Sequence, residues 1–456
     1  MKMEEETLEE IISSGLSEKL SNEVKIMVRE TYECYQGNIQ VINTIREVAH
    51  KTKNNENAIA KTAKTLMRYA MFEGWEKIAK TIEDTVCQTN NAEAVTKVAE
   101  TLGRYAGLEG WENIANAITI TIHETNNAKA VTTVAEVLGL YARLKDYGVS
   151  VAKMIANPRW WTREAKAARI IIKAANTLKL YAELKGCEKI VETIAKLEYC
   201  NSKAAKQVIS ALGQSDVVEL IKHYQSSRNC KEIIEAITNV AFWTEDANAV
   251  TKAAEVLRHY SGSGSLKEIA KAIGDVAFWT EDANAVIKTA EILKLYSHLK
   301  GYEEIVKAIR YKAFETQDSK AVVNLINALK QKIILEVMQL YQSSKDYDAV
   351  VYAITNTAYT ENTDAIIKAV KTLKLYAGLK DWKKIAWAIG DVALEMNAEA
   401  VVKAAETLAL CAKDYNKYIK IANAISKKAE IDVQEVIALC EEYQKKWKKM
   451  GKQKVI

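Results

Sequence analysis

Residues 90–125 read NNAEAVTKVAETLGRYAGLEGWENIANAITITIHET. Within them Val95, Val98, Ala99, Leu102 and Tyr105 fall at intervals of three, one, three and three, which gathers them on one face of a helix. Leu108, Glu109 and Gly110 follow, and then a second amphipathic run of Trp111, Ile114, Ala115 and Ile118. Gly110 stands where a left-handed cap is needed, with Trp111 placed to pack back on the first helix. Asn90 and Asn91 before Ala92 supply an N-cap. The stretch therefore predicts one unit: helix, tight turn, helix, cap.

Moving outward from Tyr105, a tyrosine recurs at Tyr32, Tyr69, Tyr105, Tyr141, Tyr181, Tyr224, Tyr260, Tyr296, Tyr341 and Tyr376. The spacings are 37, 36, 36, 40, 43, 36, 36, 45 and 35 residues, and Cys411 falls 35 further on. A near-constant period of this length marks a repeat array. Gly74-Trp75, Gly186-Cys187, Gly301-Tyr302 and Asp381-Trp382 occupy the equivalent turns. The expected fold is all-α: an α-solenoid of about eleven hairpins of ~36 residues, of the right-handed type although handedness cannot be derived from spacing. One hairpin cannot bury enough apolar surface to offset the ordering of its own backbone, so neighbours must share a core.

Two scales of duplication divide the chain. Ala241–Val250 (AFWTEDANAV) recurs identically at Ala277–Val286, and Ser202–Ser227 aligns with Ser319–Ser344 without a gap. The latter pair coincides with the spacings of 43 and 45, read as a lengthened first helix that opens a block. The expected organisation is a capping helix at 1–31, solenoid blocks at 32–200, 201–318 and 319–443, and a basic tail at 444–456.

Over residues 32–443 the pattern resembles the helical-hairpin solenoids, tetratricopeptide and HEAT-like repeats above all. Val95, Val98, Ala99 and Leu102 reproduce the opening spacing of the tetratricopeptide unit, with its small residue. Trp111 stands where that family has alanine, Ala115 where it has an aromatic, and its closing proline is missing. The resemblance implies the architecture and a habit of binding protein partners along a concave or edge surface.

Composition agrees. A single proline, Pro158, in 456 residues favours long uninterrupted helices. Seven cysteines form no C-x-x-C pair and read as reduced core residues, and the five glutamates of residues 1–10 are unlike a secretory signal. No run approaches the length of a membrane span. A cytoplasmic location is expected. Net charge is +5, but residues 445–454 hold six lysines and no acid, which leaves 58 basic against 59 acidic groups elsewhere. A neutral body does not resemble a general polyanion binder.

No H-E-x-x-H, G-x-S-x-G or nucleotide-binding fingerprint occurs, so neither catalysis nor a cofactor is expected. Asp246 and Asp282 read as N-caps rather than general acids. Of the five histidines, His223 and His259 precede equivalent tyrosines, where other copies carry Arg68, Arg104, Leu140, Leu180 and Leu295; this is a surface register, not a metal site. Lys97 with Glu100, Lys252 with Glu255, Lys288 with Glu291 and Lys403 with Glu406 read as i,i+3 pairs on a solvated face. The Gly/Ser segment between Tyr260 and Leu266 reads as a mobile tip.

Two groups are candidates for binding. Trp161, Trp243, Trp279 and Tyr359, each followed by threonine, lie between hairpins; they either grip a protein partner or close the core between units. Lys445, Lys446, Trp447, Lys448, Lys449, Lys452 and Lys454 suit RNA or a ribosomal surface, or else solubilise the end of the last helix. The leading expectation is a non-catalytic scaffold that binds a protein partner on its concave or edge surface, with RNA or ribosome binding through the basic tail and the loop aromatics as the alternative.

Overall fold

A computed structural model describes residues 20–36, 38–142, 145–156, 166–182, 184, 188–196, 202–260, 265–299, 302–344, 346–395 and 397–453. These residues form 25 α-helices and no strand. They fall into two compact units, residues 1–230 and 231–456. In both, helices pack on the next but one and so build two rows, except that Tyr302–Thr316 packs on Tyr347–Tyr359 past two short helices. In the first unit one row is Asn22–Cys34, Glu56–Tyr69, Ala92–Tyr105, Ala128–Tyr141, Lys166–Tyr181 and Ser202–Leu212; the helices between them form the other. In the second unit one row contains Ala247–His259 and Ala283–Tyr296 and the other Leu266–Thr280 and Tyr302–Thr316. The fold is a regular helical repeat.

The links between hairpins repeat one short device. Asn91 and Asn127 accept the amides of Ala94 and Ala130, and Asp246 and Asp282 those of Ala249 and Ala285, at 2.8–3.1 Å. These are N-caps, as expected for both aspartates. The residue before each one is left-handed: Asn90, Asn126, Glu245 and Glu281 have φ of 44–50°. One such residue turns the chain, and the cap beside it starts the next helix. In the Thr-x-Asn/Asp copies the threonine hydroxyl also receives the cap amide, as Thr244 does from Asp246 at 3.3 Å.

The recurrent tyrosine has a definite task. Its hydroxyl donates to the carbonyl of the leucine in the last turn of the next helix of the same row. In the first unit the bonds are Tyr35 to Leu66, Tyr69 to Leu102, Tyr105 to Leu138, Tyr141 to Leu178 and Tyr181 to Leu212, at 2.5–3.1 Å. In the second they are Tyr260 to Leu293, Tyr296 to Leu329, Tyr341 to Leu373 and Tyr376 to Leu408, at 2.6–2.7 Å. The last carbonyls of a helix have no amide of their own to accept. At Leu66 the amide of Ala70 turns to Met67 instead, and Tyr35 fills the vacancy. A threonine four residues before the tyrosine adds a second bond across the row: Thr65 to Ala99 at 2.7 Å and Thr101 to Ala135 at 2.6 Å. Gly103 and Gly139 permit this approach, since a Cβ at either would meet a threonine Oγ1 at 2.9–3.0 Å.

Three expectations need correction. The first member of the tyrosine series is Tyr35, which is buried and bonded to Leu66, and not the half-buried Tyr32. Helix Asn22–Cys34, which ends at this tyrosine, packs on Glu56–Tyr69 in the same row. Trp111 packs on Tyr69 of the preceding hairpin, with centroids 5.3 Å apart, and Trp75 likewise on Tyr35 at 4.6 Å, so this aromatic joins neighbours instead of closing its own unit. The long spacings do not come from a lengthened helix. They come from two short ones, Ser202–Leu212 with Ser215–Tyr224 and Ser319–Leu329 with Lys332–Tyr341. The first of each pair supplies the leucine carbonyl and the second carries the tyrosine.

The charged ladder is partly rearranged. Lys97, Lys252 and Lys288 do face Glu100, Glu255 and Glu291 on their own helices at 3.0–3.9 Å. Lys403, however, pairs with Glu441 at 3.2 Å, and Glu406 with Lys368 at 2.7 Å. Lys61–Glu100 and Lys97–Glu136 are further cross-row pairs. Lysines reach the next helix because rows bring like registers together. Among the described cysteines, Cys230, Cys411 and Cys440 are buried, whereas Cys34 and Cys87 are exposed, so the core reading holds for three. Burial pushes the Cys411 and Cys440 thiols up to about 11, leaving them unreactive. No described helix is long and apolar enough to cross a membrane.

Two outcomes test the ladder. Tyr105→Phe leaves the Leu138 carbonyl without its donor and is expected to cost about 1–3 kcal/mol in urea denaturation, whereas Tyr32→Phe should shift stability by less than about 0.5 kcal/mol. Burial also raises the pKa of Tyr69, Tyr105, Tyr181, Tyr296 and Tyr376 far above the usual tyrosine value. The unfolded chain therefore loses these protons first as pH rises. Stability should be full below about pH 10 and fall steeply above it, with tyrosinate absorbance appearing together with loss of helical circular dichroism.

Candidate functional site

The two copies of AFWTEDANAV end adjacent helices of the second unit. Trp243 lies in the last turn of Cys230–Thr244 and Trp279 in that of Leu266–Thr280; Tyr359 is the last residue of Tyr347–Tyr359. These aromatics belong to helix ends rather than to loops. Trp161 lies outside the described residues.

Phe-Trp is a pair of consecutive residues, so the two rings leave the helix about 100° apart. One ring faces the following helix and the other the preceding one. The result is a zigzag of edge-to-face contacts. Phe242 meets Trp243 at 5.0 Å, Trp243 meets Phe278 at 5.1 Å, Phe278 meets Trp279 at 4.8 Å, and Trp279 meets Phe314 at 5.1 Å. Interplanar angles of 83–89° place the electropositive edge of one ring on the face of the next.

The rings divide the work unequally. Trp243 and Trp279 are half-buried between helices. The exposed members are Phe278 at 41%, Phe314 at 57% and Tyr311 at 57%. Trp279, Tyr311 and Phe314 line a groove of about 340 Å³ with Asp275, Lys307 and Arg310. Arg310 is held at its margin by Asp275 (2.7 Å) and Glu268 (3.1 Å). Its planar guanidinium is thus fixed beside an aromatic floor. Tyr359 turns inward. Its hydroxyl donates to Ala308 at 2.7 Å, and the buried Lys312, paired with Glu361 at 2.9 Å, stands 5.7 Å from its ring. Another exposed ring, Trp387, lies 4.6 Å from Tyr352 at an interplanar angle of 48°, and Gly390 makes room for that tyrosine.

Sequence reasoning thus found the tryptophans that support this surface and missed Phe278, Tyr311, Phe314 and Arg310, which form it. The Phe-Trp dipeptide inside an identical decapeptide was the available signal.

The basic run is helical through Gln453, continuous with the helix that begins at Val433. Trp447 is fixed against Lys417, whose Nζ lies 5.2 Å from the ring centroid, and Lys446 pairs with Glu442. Lys445 is exposed. Lys448, Lys449 and Lys452 lie on this helix, but their side chains, like the whole of Lys454, fall outside the described residues. His223 and His259 are exposed, as their register implies, and His259 is within 2.9 Å of the Ser297 hydroxyl. The Gly/Ser segment 261–264 falls outside the described residues. No protein-family model matches the chain, and no curated protein matches it either.

Phe314→Ala, at an exposed ring, is expected to change stability by less than about 1 kcal/mol, whereas Trp279→Ala, which removes a ring packed between two others, should cost about 2–4 kcal/mol. Thermal or urea unfolding of the two variants measures the difference.

Proposed function

We propose that the chain is a non-catalytic α-solenoid scaffold of about eleven hairpins that binds a protein partner on an edge surface of its second unit. The observation that carries this reading is the exposed aromatic surface of Phe278, Tyr311 and Phe314 beside a fixed Arg310. Exposed aromatics and arginine are the residue types in which binding energy at protein interfaces concentrates. A ring already held by edge-to-face neighbours has little conformational freedom left to lose on association. The half-buried tryptophans beneath act as its rigid support.

RNA or ribosome binding by the basic helix end is the second reading. Lys445 and Lys446 are exposed there, while Trp447 is engaged by Lys417 and its ring is less free to stack on a base. That engagement places the reading second.

Affinity purification of the intact protein from its native cells, with quantitative mass spectrometry, tests the scaffold reading. Phe278→Ala combined with Phe314→Ala should reduce recovery of a specific protein partner at least about tenfold with unchanged circular dichroism. Undiminished recovery, or nucleic acid recovered in a salt-sensitive manner lost on removing residues 445–456, would count against it.

A further inference from the structure

The register just before the recurrent tyrosine changes character along the chain. In the first unit it holds Arg68, Arg104, Leu140, Leu180 and His223, and the two arginine guanidinium groups donate to the carbonyls of Gly103 and Gly139 on the next helix at 2.7 and 2.9 Å. There the side chain caps a neighbour. In the second unit the register holds His259 and then Leu295, Leu340, Leu375 and Leu410, and a leucine has no donor to offer. Leu340, Leu375 and Leu410 are 53%, 56% and 50% exposed, each 35 residues from the next. They sit on consecutive helices of one row, since Lys332–Tyr341 packs on Thr363–Leu375, which packs on Ala398–Cys411. A single exposed leucine is ordinary; three aligned at the same register on adjoining helices form an apolar stripe.

The surroundings are basic. Lys371 and Lys413 are free of any carboxylate at ion-pair distance among the described residues, in contrast to Lys368 and Lys374, which are paired with Glu406 and Glu336. On the following helix, counting from the Lys403–Glu441 pair as its equivalent Lys368–Glu406 is counted, the same register falls on the exposed Lys445. The stripe thus runs into the lysines of the helix end.

Spacing narrows the occupant. Packed helices lie about 8–10 Å apart, so the leucines repeat at about that interval across the row. Seven residues of an α-helix advance about 10.5 Å. We propose that Leu340, Leu375 and Leu410 form a docking surface for an acidic amphipathic helix of a partner protein. That helix lies across the row, with an apolar side chain every seventh residue over each leucine and its carboxylates toward Lys371, Lys413 and Lys445. This surface lies on the row opposite to the aromatic one and stands whether or not that one binds a partner.

The test uses the full-length protein and a labelled, side-chain-stapled 21-residue peptide with leucine at every seventh position and glutamate on its polar face. Controls are a scrambled peptide and one with lysine for glutamate. Fluorescence anisotropy should show saturable binding of the acidic peptide alone. Leu340→Gln, Leu375→Gln and Leu410→Gln together should weaken it at least tenfold with unchanged circular dichroism. Lys371→Glu with Lys413→Glu should also weaken it, and Phe278→Ala with Phe314→Ala should not. Absent binding, equal binding of the scrambled or lysine peptide, or full binding by the leucine variant overturns the proposal. So does leucine-dependent sedimentation with phosphatidylserine vesicles when the peptide does not bind, which assigns the stripe to a lipid surface.

Discussion

Along the first row a leucine carbonyl in the last turn of a helix receives a tyrosine hydroxyl from the preceding helix; at Leu66 this replaces a backbone amide that turns elsewhere, and at Leu373 it adds to the amide of Tyr376. A helix terminus buried against its neighbour is costly unless such a partner exists. The bond therefore sets the distance and the relative height of successive helices, because a shift of one turn along the axis would move the hydroxyl by 5.4 Å and lose it. The threonine bond one turn earlier fixes the same register a second time. Gly103 and Gly139 lie beside these contacts, where a Cβ would crowd the Thr65 and Thr101 hydroxyls.

With the first row held in this way, the second row is free to differ. Its turn aromatics bridge hairpins instead of closing them: Trp111 on Tyr69 and Trp382 on Tyr341. Its far ends carry the residues that distinguish the second unit, the Phe-Trp zigzag and the Tyr352–Trp387 pair. Repetition of the supporting contacts leaves the solvent-facing positions unconstrained, and it is at those positions that arginine, leucine, histidine and phenylalanine replace one another.

Much of this was legible beforehand, and for a physical reason. Helix existence, the Asn and Asp caps, and the left-handed turn at Gly110 are local properties, written within a few residues of where they act. The period was legible because each copy repeats the same burial pattern. What could not be read was anything that depends on which copy meets which. Tyr32 fits the average spacing better than Tyr35, yet only the latter lies four residues after Thr31, which bonds Ala63 as the other threonines bond their neighbours. The direction in which Trp111 leans and the partner of Lys403 are likewise relations between units. The aromatic surface was found by its deeper half, because tryptophan draws the eye in a sequence and solvent exposure leaves no mark there.

The paired short helices have one more consequence. In each pair the acceptor of the preceding tyrosine and the donor to the following leucine sit on different helices, separated at Gly213-Gln214 and Lys330-Gln331. Excising residues 202–318 would bring Ser319 to the place of Ser202, and Leu329 would then offer Tyr181 the carbonyl that Leu212 offers now. Nothing in the hydrogen-bonding grammar would register the loss. The paired short helices thus divide between them the accepting and donating roles that a single helix of the row performs elsewhere, as Leu329 and Tyr341 show.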